Sequence, residues 1–343
     1  MASNAPASVG DAQASPTGPA TSGSGAPAAK KRGTSPRLTF RQRLSRWDVK
    51  VSPYLYVLPF FLVFLVIGLY PMVYSAYLSF FSWPRFGASH GDAVGWANYA
   101  KVLHDPVFHK AFWNTIGIFL LSSVPQIIVA TLVAALLDTK LRGRTWWRMS
   151  VLLPFVVAPA ATALIFGAIF ADRSGLLNDL LHGLGLPKVG WHSNRPASWL
   201  AIATMVNWRW TGYNALIILA AMQAVPRDLY EAAEMDGAGR AKQFRYVTLP
   251  SIRPTMIFVI ITSTIGGLQI FTEPRLFDTN LQHQGGSGYE YQTLTMYVFN
   301  TANSATDPYP RAAAAAWILF LLIVGIALLN FLITRAVQKR SHA

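Results

Sequence analysis

Between Lys50 and Arg85 the chain runs for 34 residues without a single Lys, Arg, Asp or Glu. Such runs recur: 27 uncharged residues lie between Lys110 and Asp138, 23 between Arg148 and Asp172, 19 from Pro254 to Thr272 and 23 from Ala312 to Thr334. A helix advances about 1.5 Å per residue, so about 20 apolar residues cross a hydrocarbon layer of about 30 Å. A further stretch between Arg195 and Arg227 qualifies with one interruption, Arg209. The pattern predicts an all-α polytopic membrane protein with six transmembrane helices. Pro59, Pro71, Pro125, Pro154 and Pro159 fall within the first three spans and predict kinked helices, whose freed backbone groups bundle neighbours can satisfy.

Composition agrees. Only 13% of the 343 residues are charged, too few to solvate a soluble protein of this size, and they cluster between the apolar runs. The formal net charge of +14 accompanies no nucleic-acid-binding motif. It reads instead as topology. Alternate loops carry 20 Lys and Arg on one side (the arm to Lys50, 139–148, 226–253, and the tail after Thr334) against eight on the other (83–110, 172–196, 274–311). By the positive-inside rule both termini are expected in the cytoplasm of a multi-pass cell-membrane protein, with three loops outside. Tyr54, Trp83, Trp146 and Trp147 fit interfacial belts. The absence of cysteine excludes disulfides, thiolate metal sites and Cys nucleophiles. Residues 1–50 read as a disordered basic N-terminal arm, rich at first in Ala, Ser, Gly, Pro and Thr and lacking a signal-peptide core, and 51–340 as the membrane domain. The polar loop 274–311 reads as a docking surface for an external partner or as a plain connector.

The most informative segment is the loop 226–253, PRDLYEAAEMDGAGRAKQFRYVTLPSIR. Pro226 suits a first helical position, Asp228 and Glu231 suit the positive end of a helix dipole, and Gly237 or Gly239 suits a left-handed cap. A second short amphipathic segment, Ala241 to Leu249, leads to a break expected at Pro250. The two would make a helix-turn-helix element on which a cytoplasmic partner could seat. On physical grounds alone the same segment also reads as a basic loop carrying a surface helix.

Glu231, Ala232, Ala233, three residues, Gly237, nine residues, Val247, one residue, Leu249 and Pro250 resemble the Glu-Ala-Ala loop of ABC-importer permeases, with Val247 in the usual Ile place. The resemblance extends over about residues 54–340, including the WNT at 113–115, and is greatest to the carbohydrate-uptake permeases, relatives of the larger maltose permease subunit and of actinobacterial oligosaccharide systems. It implies an ATP-driven importer in which Glu231, Ala232, Ala233, Gly237, Leu249 and Pro250 couple to a separate ATPase. It further implies a second permease subunit, two ATPase copies that bind the ATP and Mg, and an extracytoplasmic sugar-binding lipoprotein. This chain would then hold no cofactor or metal and perform no catalysis, and it has no GxxxxGK[ST] phosphate loop.

A sugar needs aromatic faces and hydrogen-bonding amides or hydroxyls. On the fourth span Asn207, Trp210 and Asn214 recur at i, i+3 and i+7 with Tyr213 adjacent; Ser263, Gly267 and Gln269 stand on the fifth. Polar groups at membrane depth line a cavity or bind neighbouring helices, and both readings hold for these residues. Arg209 is expected to point away from that face, snorkelling outward or meeting a carboxylate. An ion-driven carrier is disfavoured because no Asp, Glu or His lies inside a span. A membrane enzyme is disfavoured because Asp172, Asp179, His182 and His192 form no acid–base or metal spacing, and a channel because of the coupling loop.

Overall fold

The computed structural model describes residues 40–83, 91–139, 142–277, 285–304 and 308–340, with the side chains of 40–50, 308 and 333–340 left out. Most of the 1–50 arm lies outside these residues, and helix is already present from Phe40, ahead of the expected domain start at 51. The described residues are helical, with a lone bridge between Phe81 and Ala93 as their β-structure. The chain forms two units, Met1–Leu62 and Val63–Ala343. The first contains α1 (Phe40–Val63) up to Leu62, which passes through Pro53 and Pro59 without ending. In the second, a π-helical turn (Phe64–Leu69) leads to α2 (Tyr70–Leu78), α3 (Ala97–Leu103), α4 (Pro106–Leu137), α5 (Arg144–Val156), α6 (Pro159–Ile169), α7 (Leu176–Gly183) and α8 (Arg195–Gln223). There follow α9 (Arg227–Met235), α10 (Arg240–Gln243), α11 (Leu249–Ser251), α12 (Arg253–Leu268), α13 (Thr272–Phe277), α14 (Leu294–Ala302) and α15 (Pro308–Arg340).

Local chemistry sets the long helices. The Asp105 carboxylate accepts from the Val107 N–H at 2.8 Å to cap α4, with Pro106 next in line. Asn194 caps α8 through the Ala197 N–H at 3.2 Å. The two helices pack along each other, and α4 supplies three successive cores: Phe108 and Ala111 with Leu268, Leu294 and Tyr297; Ile118 with Ile202, Met205 and Phe277; and Ala130 and Ala134 with Ala215, Ile218 and Val259. Small residues permit the close approach that holds helices together where lipid removes the hydrophobic drive. At Gly212 a Cβ would stand 1.7 Å from the Val151 carbonyl oxygen, so α5 crosses α8 there backbone to backbone.

Among the described residues three helical stretches can cross a membrane by length and composition: Val51–Leu78, Pro106–Leu137 and Tyr309–Leu332. Two bent pairs can raise the number to five: Arg144–Val156 with Pro159–Ile169, bent 87°, and Arg240–Ser251 with Arg253–Leu268, bent 70°. The helices at three of the six runs expected as spans depart from one unbroken apolar helix. The third breaks at Val157 and Ala158, because Pro159 disfavours helix in the residue before it. The fifth is α12 alone, 16 residues, with Gln269–Phe271 outside helix. The fourth, α8, has 29 residues and is long enough, but Asn207, Arg209 and Asn214 lower its hydropathy below that of a span.

The buried Asn114 ties the loop before α14 to α4. Its amide donates to the carbonyls of Tyr289 (2.8 Å) and Gln292 (3.0 Å), and its oxygen accepts from Arg195 Nε (2.9 Å) and Trp199 Nε1 (3.2 Å). Tyr289 sits at φ +63, a left-handed conformation that costs about 1–2 kcal/mol outside glycine and is held here by these bonds. The adjacent Thr115 hydroxyl accepts from the Leu294 N–H at 2.8 Å, so two residues of the WNT sequence fasten this loop. Asn114→Leu should strand these partners in a buried place and cost about 3 kcal/mol, at the upper end for a lost buried hydrogen bond. A drop of several degrees in the thermal midpoint of the detergent-solubilised protein checks it.

On α14, burial and then the bond from the Tyr297 hydroxyl to Asp105 Oδ2 (2.7 Å) push the Tyr297 phenol up from 10.0 to about 12. A raised phenol pKa stabilises the fold fully below pH 10 and loses that contribution as pH rises from 10 through 12. In an alkaline ultraviolet titration, Tyr297→Phe should therefore remove the phenol that ionises near pH 12 and leave the earlier ones.

Candidate functional site

A cavity of about 410 Å³ opens between α4, α8 and α12. From α8 it is lined by Val206, Arg209, Trp210, Tyr213 and Asn214; from α12 by Phe258, Thr262, Ser263, Gly266 and Gly267; from α4 by Ser123 and Gln126. Pro159 closes one side, and the non-helical turn Gln269–Phe271 with Thr272 and Glu273 completes the wall. Gln269, at the break after α12, lines the cavity with the helix residues before it.

The aromatic wall is braced from behind. Phe155 of α5 stacks on Tyr213 with ring centroids 4.5 Å apart and meets Trp210 edge-on at 5.2 Å. Asn214 Nδ2 donates to Ser263 Oγ at 3.1 Å, linking α8 to α12 across the cavity lining. The two glycines of α12 differ. A Cβ at Gly266 would meet nothing within 4 Å, whereas one at Gly267 would stand 2.8 Å from the Phe119 ring and 3.0 Å from Ser123 Oγ. Gly266 thus leaves open space, and Gly267 also lets α12 approach α4.

Of the seven residues proposed from the sequence, Trp210, Tyr213, Asn214, Ser263, Gly267 and Gln269 come together on this one cavity. Asn207 does not line it, and its Oδ1 is buried with no hydrogen-bond partner among the described residues. The reason is angular: at about 100° per residue, the observed face of α8 centres on Val206, Trp210 and Tyr213, with Asn214 at one edge and Asn207 beyond it. The same rotation brings Arg209 onto the opposite edge, which corrects the expectation that it points away. Arg209 Nη1 lies 3.4 Å from Glu273 Oε1, with the two side chains only 13% and 9% exposed. Its Nε donates to the Val157 carbonyl at 3.2 Å, occupying a backbone acceptor released by the break between α5 and α6. One guanidinium therefore binds the broken ends of two segments. Sequence reasoning left Glu273 aside because it falls one residue past the fifth apolar run; a lone cation inside a span was the available sign that a carboxylate must sit near.

In the segment 226–253, α9 ends as the sequence predicts. Gly237 has φ +75, its N–H donates to the Glu234 carbonyl at 2.9 Å, and the Ala238 N–H reaches back to Ala233 at 2.9 Å, the paired bonds of a Schellman cap. Pro226 is the N-cap and the helix opens at Arg227, one residue later than expected. Pro250 makes no break. A π-helical turn (Phe244–Thr248) carries the chain into α11, and the turn comes at Ile252, because the wider loop already omits the bond that Pro250 cannot donate. Glu231, Ala232, Gly237 and Pro250 are exposed and Ala233 and Leu249 partly so. Leu229 and Met235 are also exposed. A bond between the Tyr230 and Thr248 hydroxyls (2.9 Å) anchors α9 to the turn behind it, leaving its outer face uncovered by the described residues. Among the described residues no group of three or more His, Asp or Glu side chains gathers as a metal site would require.

Comparison with known proteins gives the assembly to which these parts belong. Residues 118–342 match the family described as the binding-protein-dependent transport system inner membrane component. The chain is 33% identical over 292 residues to the arabinooligosaccharides transport system permease protein AraP of Halalkalibacterium halodurans, covering 84% of this chain and 90% of that one. It is 31% identical over 300 residues to the lactose transport system permease protein LacF of Rhizobium radiobacter, covering 87% and 98%. It shares its fold with a chain of a bacterial ABC transporter involved in the import of the acidic polysaccharide alginate, at a TM-score of 0.71 and 21% identity over 86% of this chain and 99% of that one. Family members are the membrane-embedded permeases of ABC importers, and ATP hydrolysis belongs to a partner. With a matched region and full-length relatives in agreement, the chain belongs to the binding-protein-dependent transport system inner membrane components, the permeases of ABC importers.

Proposed function

We propose that this permease translocates a sugar, a di- or oligosaccharide, through the cavity between α8 and α12. The observation that carries the reading is the lining itself. Trp210 and Tyr213 offer ring faces and edges to pyranose C–H surfaces, and Gln126, Asn214, Ser263 and Gln269 offer hydrogen bonds to hydroxyls. The cargoes named for the relatives, arabinooligosaccharides and lactose, support the class without choosing its member.

Six membrane crossings follow if α5 with α6, α8 and α12 each cross beside the three long stretches, the polar residues of α8 turned to the cavity instead of lipid. Both termini and α9 then face the cytoplasm, in accord with the Lys and Arg distribution. Glu231, Ala232, Ala233 and Gly237 on α9, with Leu249 and Pro250 behind, seat on a cytoplasmic ATPase. A second permease subunit, two ATPase copies and an extracytoplasmic sugar-binding lipoprotein complete the importer, since one chain of this size cannot enclose an oligosaccharide path. Closure of the ATPase pair on ATP moves the α9 elements and opens the cavity outward.

The test is uptake of labelled arabino-, gluco- and galacto-oligosaccharides by cells producing the complete transporter with and without this chain. Chain-dependent accumulation of at least one of them is expected. Accumulation of none, with a non-sugar solute carried instead, overturns the sugar assignment.

A further inference from the structure

Among the described residues lining the cavity, Arg209 and Glu273 are the two that carry formal charge, and the rest are apolar or neutral hydrogen-bonding groups. The guanidinium is committed on several sides. Nη1 faces Glu273 Oε1 at 3.4 Å, Nε donates to the Val157 carbonyl at 3.2 Å, and the aromatic rings of Phe155 and Trp210 lie 5.6 and 5.4 Å from its central carbon. Both charged side chains are almost nine-tenths buried or more, where a charge is screened weakly and an uncompensated one is costly.

We infer that Glu273 is a specificity-determining residue, which neutralises Arg209 within the cavity wall and thereby restricts the cargo to uncharged sugars. The inference rests on the proposed cargo cavity and deepens it. An anionic cargo would have to take Arg209 from a carboxylate already in place, with that carboxylate left beside it as a buried like charge. A neutral glycan meets no such conflict, because the hydrogen-bonding groups around the pair are uncharged. Removing the carboxylate alone would convert the same wall into an anion site, since arginine keeps its charge and its forked donors match carboxylate and phosphate.

The chain has no cysteine, so the cavity's charge can be read directly. Gly266→Cys adds a Cβ that meets nothing within 4 Å and so carries its thiol into the cavity without crowding at its root, and Leu184→Cys, at an exposed position outside the cavity, gives the reference. The assembled importer is treated with methanethiosulfonates of matched size bearing a sulfonate or a trimethylammonium group, and labelling of this chain is followed by mass spectrometry. With the pair intact, the anion-to-cation rate ratio in the cavity should match the reference within about threefold; Glu273→Gln should raise it about tenfold or more, the effect of one unbalanced charge in a poorly screened site. The double variant Arg209→Met, Glu273→Leu, which removes both charges, should return the ratio to its starting value. The inference is overturned if Glu273→Gln leaves the ratio unchanged, if the intact cavity already favours the anionic reagent, or if the double variant shifts as far as the single one.

A transport arm uses cellobiose and cellobiouronate together with any disaccharide carried by the cells. Glu273→Gln should narrow the preference for the neutral sugar about tenfold, and equal uptake of both by the unaltered importer contradicts the inference. Failure to carry any sugar sinks the functional reading by itself, while the labelling ratios still decide the charge inference.

Discussion

Gly237→Val is expected to abolish cargo-stimulated ATP hydrolysis by the assembled importer, to below about a tenth of its starting rate, as loss of an ordered coupling helix implies. A valine Cβ at this position meets no atom within 4 Å, so crowding is not the cause. The cause is the backbone: φ is +75, a conformation that costs an L-residue about 1–2 kcal/mol and a β-branched one more. The α9 helix has nine residues, too few to be stable on its own, and depends on its Schellman cap and the Tyr230–Thr248 bond. Losing the cap unwinds the last turn, which carries Ala233, Glu234 and Met235. Gly237→Asn should retain much more of the rate, because asparagine tolerates the left-handed region. Hydrolysis measured in nanodiscs with and without cargo-loaded binding protein checks both, and equal rates for glycine, asparagine and valine would exclude the cap from coupling. Glu231→Lys, an exposed charge reversal, should uncouple without moving the thermal midpoint.

Gly266→Phe is expected to reduce sugar uptake about a hundredfold while the protein folds normally, since an aromatic side chain of about 150–250 Å² would occupy the space above α12. Trp210→Ala should lower uptake about tenfold to a hundredfold, the loss typical of truncating an aromatic anchor, here a half-buried one. Gly267→Phe should behave differently. Its side chain would strike Phe119 and Ser123, so less folded protein should be recovered. Initial uptake rates, normalised to folded protein by size-exclusion chromatography, separate the two outcomes. Uptake by Gly266→Phe at the original rate would show that cargo does not pass the cavity.

The contrast between what could and could not be read from the sequence has physical causes. Helix positions followed from uncharged runs, and the cap at Gly237 from the ordinary rule that glycine alone enters the left-handed region freely. The sharp turn before Pro159 was not legible, because an apolar run with a proline inside it reads equally as one kinked span or two helices. The turn at Ile252 was displaced from Pro250 by a π-helical loop that leaves no composition signature. On α8 the sequence reading took a face of Asn207, Trp210 and Asn214 with Tyr213 adjacent, which leaves out Arg209, whereas the cavity is lined by Val206, Arg209, Trp210, Tyr213 and Asn214. Glu273 escaped notice because its partner is 64 residues away and only the tertiary fold brings them together.

The most direct test of the account is ATP-driven uptake of a labelled oligosaccharide into proteoliposomes containing this chain, its partner permease and the ATPase. The account predicts accumulation that requires ATP on the α9 side and sugar-loaded binding protein on the other, and that is lost with Gly237→Val. Accumulation driven by an ion gradient with the ATPase left out, or uptake indifferent to the binding protein, would contradict it.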